Sequence, residues 1–274
     1  MKTKTYVITG ATSGIGKALV EILSKDSIVF AGFRSESKKK DLAELSNNIY
    51  PFYVDYAKPE TIADAIAFIK SKCEKIDTLI NIAGCVVAGP VEKLSLDEVR
   101  RQFNVNVFGH IEMSQGLADR LENGRIINVS SMASFGIFPF ISPYCASKRC
   151  LDMFFNSFLI ENKRNIKVVS IKPGVIVTPL WDKSIKENTE LMQKCDGYEK
   201  EMQFIAANAH KNETKGLNLE KVVKVILQAD KVKNPKLTYL IGKDAKFAHI
   251  FSMLPQGLVN KLVKLGLKLR MNRV

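Results

Sequence analysis

The sequence predicts a doubly wound α/β fold: one domain of three layers, in which a parallel seven-stranded sheet is covered on both faces by helices. Three observations predict it. Short apolar, β-branched runs alternate with amphipathic segments; a glycine-rich turn joins the first run to the first helix; and 274 residues, 46% apolar and 25% charged, suit one large core.

The strand-like runs fall at residues 5–9, 28–33, 49–54, 77–82, 125–130, 167–172 and 237–241, with helical patterns such as 15–23, 61–72 and 145–161 between them. Strands alternating with helices make βαβ units. Ligands of such sheets bind beyond the carboxyl ends of the strands, so the residues just after each strand are the first candidates for a site. Two stretches depart from the alternation. Residues 179–217 hold no strand and carry scattered large apolar residues such as Leu180, Trp181, Phe204 and Ile205, the pattern of a flap over a site. Residues 243–274 are basic and amphipathic, with Leu258, Val259, Leu262, Val263, Leu265 and Leu269 on overlapping faces. Two destinations stand open for this extension. It docks on the body or a partner subunit, or it makes weak peripheral contact with an acidic membrane surface through Lys261, Lys264, Lys268, Arg270 and Arg273.

Composition removes several classes. No repeat or low-complexity block is present, and no run approaches the roughly 20 consecutive apolar residues of a spanning helix. The chain enters Tyr6-Val7-Ile8-Thr9 directly, a strand and not a signal peptide, so a cytoplasmic protein is expected. Five cysteines with no CxxC spacing suggest neither a disulfide framework nor a metal site. The formal charge of +13 would attract phosphorylated cofactors, acidic lipids or nucleic acid. No nucleic-acid motif with interleaved aromatics occurs, so no specific nucleic-acid partner is expected.

The segment Thr9-Gly10-Ala11-Thr12-Ser13-Gly14-Ile15-Gly16 leaves a strand and opens a helix. In that setting Gly10 permits a tight turn, Gly14 a close backbone approach to a pyrophosphate, and Gly16 the packing of helix on sheet, while the helix N-terminus offers N–H groups to the phosphates. An ordinary strand-to-helix turn is the alternative. The second strand then ends in Arg34-Ser35 with no carboxylate, and a basic residue there accommodates a 2′-phosphate. NADP(H) is therefore expected over NAD(H).

The fifth strand ends at Ser131, and thirteen residues on stands Tyr144, four residues before Lys148. On a helix Tyr144 and Lys148 share a face. Free tyrosine titrates near about 10, and an adjacent ammonium stabilises phenolate, so such a pair suits a proton donor in carbonyl reduction, with Ser131 bonding the substrate oxygen.

Taken together these residues resemble the short-chain dehydrogenases/reductases, in their single-domain TGxxxGxG and YxxxK branch with a Rossmann fold. The resemblance runs over about residues 3–178 and includes Asn81-Ile82-Ala83-Gly84, Asn106-Val107-Phe108-Gly109, Asn128-Val129-Ser130-Ser131, and Pro173-Gly174 followed by Val177-Thr178. It implies Tyr144 as acid/base, Ser131 as orienter of the substrate oxygen, and Lys148 as the residue that lowers the Tyr144 pKa and holds the nicotinamide ribose. Asn106 would hold a water on a proton relay. Asp55 would cap the adenine amine, Asn81 would support the strands near the adenosine ribose, and Thr178 would contact the carboxamide or pyrophosphate. A homodimer or homotetramer is implied in the same way. Two departures stand out: Ser13 where NADPH-using members often carry a basic residue, and Ile82 in place of a small residue.

Val86, Val87, Phe135, Ile137, Phe138, Phe140, Leu180 and Trp181 are expected either to rim the nicotinamide or to pack as core. A rim of this kind favours a bulky apolar ketone or alcohol. The segment from Cys85 to Gly109 and the basic C-terminal helix are similar to hydroxysteroid and retinol dehydrogenases within the family. The expected activity is hydride transfer between NADP(H) and a bulky apolar carbonyl or secondary alcohol, such as a steroid or retinoid. Two alternatives are a catalytically idle cofactor-binding scaffold and a peripheral membrane-binding protein; the complete Asn106, Ser131, Tyr144 and Lys148 set argues against the scaffold.

Overall fold

The computed structural model describes residues 3–177, 195–214 and 216–271. Seven parallel strands lie in the order β3-β2-β1-β4-β5-β6-β7. They are β1 (Thr5–Ile8), β2 (Ile28–Phe33), β3 (Ile49–Tyr53), β4 (Thr78–Asn81), β5 (Arg125–Val129), β6 (Lys167–Pro173) and β7 (Thr238–Ile241). Each falls within one residue of its expected run. The helices are α1 (Gly14–Leu23), α2 (Ser37–Ala43), α3 (Glu60–Lys72), α4 (Leu96–Phe103), α5 (Gly109–Gly116), α6 (Ser142–Glu161), α7 (Glu199–Thr214), α8 (Leu219–Lys231), α9 (Lys243–Phe251) and α10 (Gln256–Met271). Helix α6 begins three residues earlier than its periodicity predicts, because Pro143 suits the first helical turn. Tyr144 thereby sits in that first turn.

Alternation along the strands divides the apolar residues between two cores. On one face Ile8, Ile127 and Val169 meet Leu19 of α1 and Ile226 of α8. On the other, Val7, Leu79 and Ile126 meet Ile69 of α3, Met113 of α5 and Phe155 of α6. Strand β4 is central with β1 beside it, and the chain reverses its direction of winding between β1 and β4, which opens a crevice beyond their carboxyl ends. Among the described residues no helix is long and apolar enough to cross a membrane.

The opposite end of the sheet is tied to α8 by one buried carboxylate. Asp230 accepts hydrogen bonds from Lys4 Nζ (2.9 Å), Tyr6 Oη (2.8 Å) and Thr78 Oγ1 (2.6 Å). Burial opposes ionisation, but these donors outweigh it and hold the carboxyl below its usual range. A carboxyl depressed in this way adds stability above its unfolded pKa of about 4, and that stability is lost as pH falls through the lower folded value. Asp230→Asn, which leaves donors unpaired, is expected to cost about 2–3 kcal/mol in urea denaturation at neutral pH. The difference from the parent should shrink as the medium is made acidic.

Candidate active site

The crevice is built on backbone contact. Gly10 and Gly14 adopt φ of 66° and 49°, in the left-handed region that favours glycine. A Cβ on Gly10 would lie 2.9 Å from the Ala83 nitrogen, and one on Gly16 would overlap the Gly10 carbonyl oxygen. The turn after β1 therefore packs main chain to main chain on α1 and on the segment after β4. Ser13, at the N-cap of α1, makes no side-chain cap bond, so the first N–H groups of the helix are left to an anion. A cavity of about 260 Å³ runs over this turn.

Of the expected cofactor residues, Gly10, Thr12, Ser13, Gly14, Ile15, Arg34, Asp55, Ala83, Gly84, Tyr144, Lys148, Pro173 and Gly174 line that cavity. The glycine cradle, the uncapped helix end and the cationic Arg34 at the rim fit a phosphorylated dinucleotide. Gly16 lies beneath, in packing. Four of the expected residues are not on its wall. Asn81 does not reach the cavity, because its side chain is turned into the sheet and donates to Asn128 Oδ1 (2.8 Å) and Ser114 Oγ (3.3 Å). Ser35 lies outside it, its hydroxyl paired with that of Ser37 at 2.8 Å. Val177 lies outside it too, its N–H bonded to the Leu217 carbonyl at 3.1 Å. Thr178 lies outside the described residues, as do Leu180 and Trp181.

Tyr144 and Lys148 face the far end of the same cavity. Lys148 Nζ donates to the Val129 carbonyl at 3.0 Å and lies 5.9 Å from the centroid of the Tyr144 ring. Ser131, after β5, accepts the Ala133 N–H on its Oγ at 3.1 Å. Asn106 is fully buried in a π-helical turn, Asn104–Phe108, between α4 and α5. Its Oδ1 accepts the Cys85 N–H (2.9 Å), and its Nδ2 donates to the Cys85 carbonyl (3.0 Å) and to Ser147 Oγ (3.1 Å). Both amide hydrogens are spent on protein, so the side chain clamps chain segments together.

The expected depression of the Tyr144 pKa is absent. Burial pushes the phenol up to about 12, and the hydrogen bond with Ser131 offsets only part of this. The ammonium of Lys148 is directed at the Val129 carbonyl, and spacing along a helix cannot reveal that. Lys148 itself is pushed down to about 8 by burial, against the pull of Asp152. His110 is driven down to about 3 by burial and then by the Lys148 charge; its neutral ring bonds the Ala83 carbonyl at 2.8 Å.

Beyond Tyr144 opens a second cavity, of about 730 Å³. Its lining is apolar apart from Ser131, Tyr144, Asp244 and Arg270. Val86, Ile137, Phe138 and Phe140 contribute as expected, and Phe140 is held at a φ of 66°. Phe135 and Val87 are not on its wall. Its outer wall comes from elements the motifs do not mark: Phe204 and Ile205 of α7, Phe247 and Phe251 of α9, and Leu262, Val263 and Leu267 of α10. Asp244 is a further residue the sequence does not single out. It accepts the Val175 N–H (2.8 Å) and the Ala245 N–H (3.0 Å), and a Cβ on Gly174 would overlap its carboxylate. The loop after β6 is thus fixed against α9.

The short chain dehydrogenase family model matches residues 4–189. An uncharacterised oxidoreductase, YusZ, of Bacillus subtilis (strain 168) is 30% identical over 93% of this chain and 94% of its own. An NADPH-dependent 3-dehydrocapnine reductase of Ornithobacterium rhinotracheale is 29% identical over 96% of each. A crystal structure of a short-chain dehydrogenase from Streptomyces avermitilis superposes with a TM-score of 0.78 at 21% identity, covering 98% of both chains. The chain belongs to the short-chain dehydrogenase family of oxidoreductases, and its doubly wound sheet is the Rossmann type.

Gly16→Ala tests the cradle. Its methyl group must displace the Gly10 carbonyl, so NADPH affinity measured by fluorescence titration should fall at least about tenfold, or about 1.4 kcal/mol.

Proposed function

We propose that this chain is an NADP(H)-dependent oxidoreductase acting on a bulky apolar ketone or secondary alcohol, of the size of a steroid or retinoid, with Tyr144 as the proton donor. One observation carries the reading: Ser131 and Tyr144 line both cavities, so the dinucleotide cleft and the apolar chamber meet at these two hydroxyls. The preference for NADP(H) rests on Arg34 after β2 and on the absence of a carboxylate there; the NADPH-dependent relative is in keeping with it.

The bound nicotinamide would supply or accept the hydride. The chain's residues handle the proton and the geometry. A phenol pushed up to about 12 is fully protonated at neutral pH, as a donor to the carbonyl oxygen must be. Ser131 accepts from the backbone on its Oγ, and its one hydroxyl proton, which lies against Tyr144, can turn to the same oxygen. Lys148 spends one of its three donors on Val129, which leaves two for ribose hydroxyls. Apolar walls on the substrate side exclude water from the reacting centre. A cytoplasmic location is in keeping with cysteines that stand as thiols. Association into two or four copies would have exposed Phe108, Met153 and Ile160 to cover.

NADPH and NADH oxidation against steroid, retinoid and long-chain ketones tests the proposal. NADPH should be preferred, Arg34→Ala should erode that preference, and Tyr144→Phe should lower turnover by about 10²–10⁴-fold. If both cofactors bind but no carbonyl is reduced by parent or variant, the chain is an idle cofactor-binding scaffold. The rate should also fall as pH rises through about 8, where Lys148 loses its ammonium. Lys148→Arg should move that limb to higher pH.

A further inference from the structure

Helix α10 presents three faces, at about 100° of rotation per residue. Val259, Val263, Gly266 and Arg270 turn inward: Val259 is buried and the others line the apolar cavity. About 100° around the helix runs a stripe of Leu258, Leu262, Leu265 and Leu269, each between 41% and 56% exposed. About 100° further lie Lys261, Lys264 and Lys268, all exposed. The apolar exposure continues through α9 and the turn after it, in Phe247, Ile250 and Met253, each at least 65% exposed. A stripe this long is too extensive to be scattered surface apolarity, and it needs an occupant.

Charge selects the occupant. Residues 245–274 contain six lysines and arginines and no aspartate or glutamate. A second copy packed on the stripe would set lysine against lysine. An anionic bilayer would accept the leucines among its acyl chains and the lysines among its headgroups. The cavity reaches the same face, since Leu262 belongs to the stripe and to the cavity wall, and Phe247 is both cavity wall and 67% exposed. We propose that the leucine stripe of α10 and the adjoining surface of α9 dock on an anionic lipid surface, with the apolar cavity opening toward it so that a lipid-dissolved substrate enters without crossing water. The delivery of substrate rests on the oxidoreductase reading; the docking does not.

Sedimentation of the full chain with vesicles of phosphatidylcholine, with or without phosphatidylglycerol, tests the docking. The parent should partition about tenfold more strongly to the anionic vesicles, and high salt should release it. The triple variant Lys261→Glu, Lys264→Glu, Lys268→Glu and the double variant Leu265→Gln, Leu269→Gln should each lose at least about tenfold in partitioning. None of these five side chains lines the cavity, so circular dichroism and turnover of a water-soluble ketone should match the parent. Equal, low sedimentation with both vesicle types would overturn the proposal. So would a dimer, seen by light scattering without lipid, that the leucine variant dissolves; the stripe would then be an interface between copies. Failure of the oxidoreductase reading appears separately, as absence of ketone turnover in solution with sedimentation unchanged.

Discussion

The side-chain amide of Asn106 is the contact on which the geometry of the site depends. It takes both backbone groups of Cys85 and, through Ser147, whose hydroxyl donates to the Tyr144 carbonyl at 2.8 Å, it holds the first turns of α6. One helical turn earlier, Gln102 repeats the clamp, accepting from the Val87 N–H and donating to the Cys85 carbonyl, both at 2.6 Å. The segment after β4 forms no regular ladder, and its buried polar groups must be satisfied from elsewhere. Two amides spaced i and i+4 on one helix face supply that need. They also fix Tyr144 and Lys148 against the cleft, because the same amide reaches α6.

Two consequences follow from that placement. Lys148 and Tyr144 are both buried, which disfavours their charged forms and moves their pKa values in opposite senses, down toward neutrality for the amine and up for the phenol. The same burial puts the two hydroxyls of Ser131 and Tyr144 between a polar cradle for phosphates and an apolar chamber. The chemistry is thus divided by compartment, with anion recognition on one side of Tyr144 and dispersion contact on the other.

The sheet was legible in the sequence because strand patterning is local. Seven β-branched runs read as strands, and the glycine turn declared its own need for absent side chains. The Ser131, Tyr144 and Lys148 set was legible because its members stand at a strand end and at i, i+4 on one helix. Asn81 turns into the sheet and bonds Asn128 of β5, the strand support that the resemblance implies, while its place at a strand end does not say whether the side chain reaches the cavity. The direction of the Tyr144 shift was hidden because burial, not spacing, decides it. The flap was legible in Phe204 and Ile205, which α7 brings to the cavity wall, and α10 takes one of the two destinations its pattern left open. Gln102, Asp244 and the wall supplied by α9 were hidden for another reason. They reach the site from distant parts of the chain, and nothing in their own neighbourhoods marks a destination.

The most direct test of the account is the crystal structure of the chain with NADP+ and an unreactive apolar ketone analogue. The account predicts the phosphates over Gly10–Gly16, the analogue in the large cavity, and its carbonyl oxygen within hydrogen-bond reach, about 2.6–3.2 Å, of both Tyr144 Oη and Ser131 Oγ. A dinucleotide seated on the turn with the analogue's carbonyl remote from Tyr144, or an analogue bound outside that cavity, would contradict it.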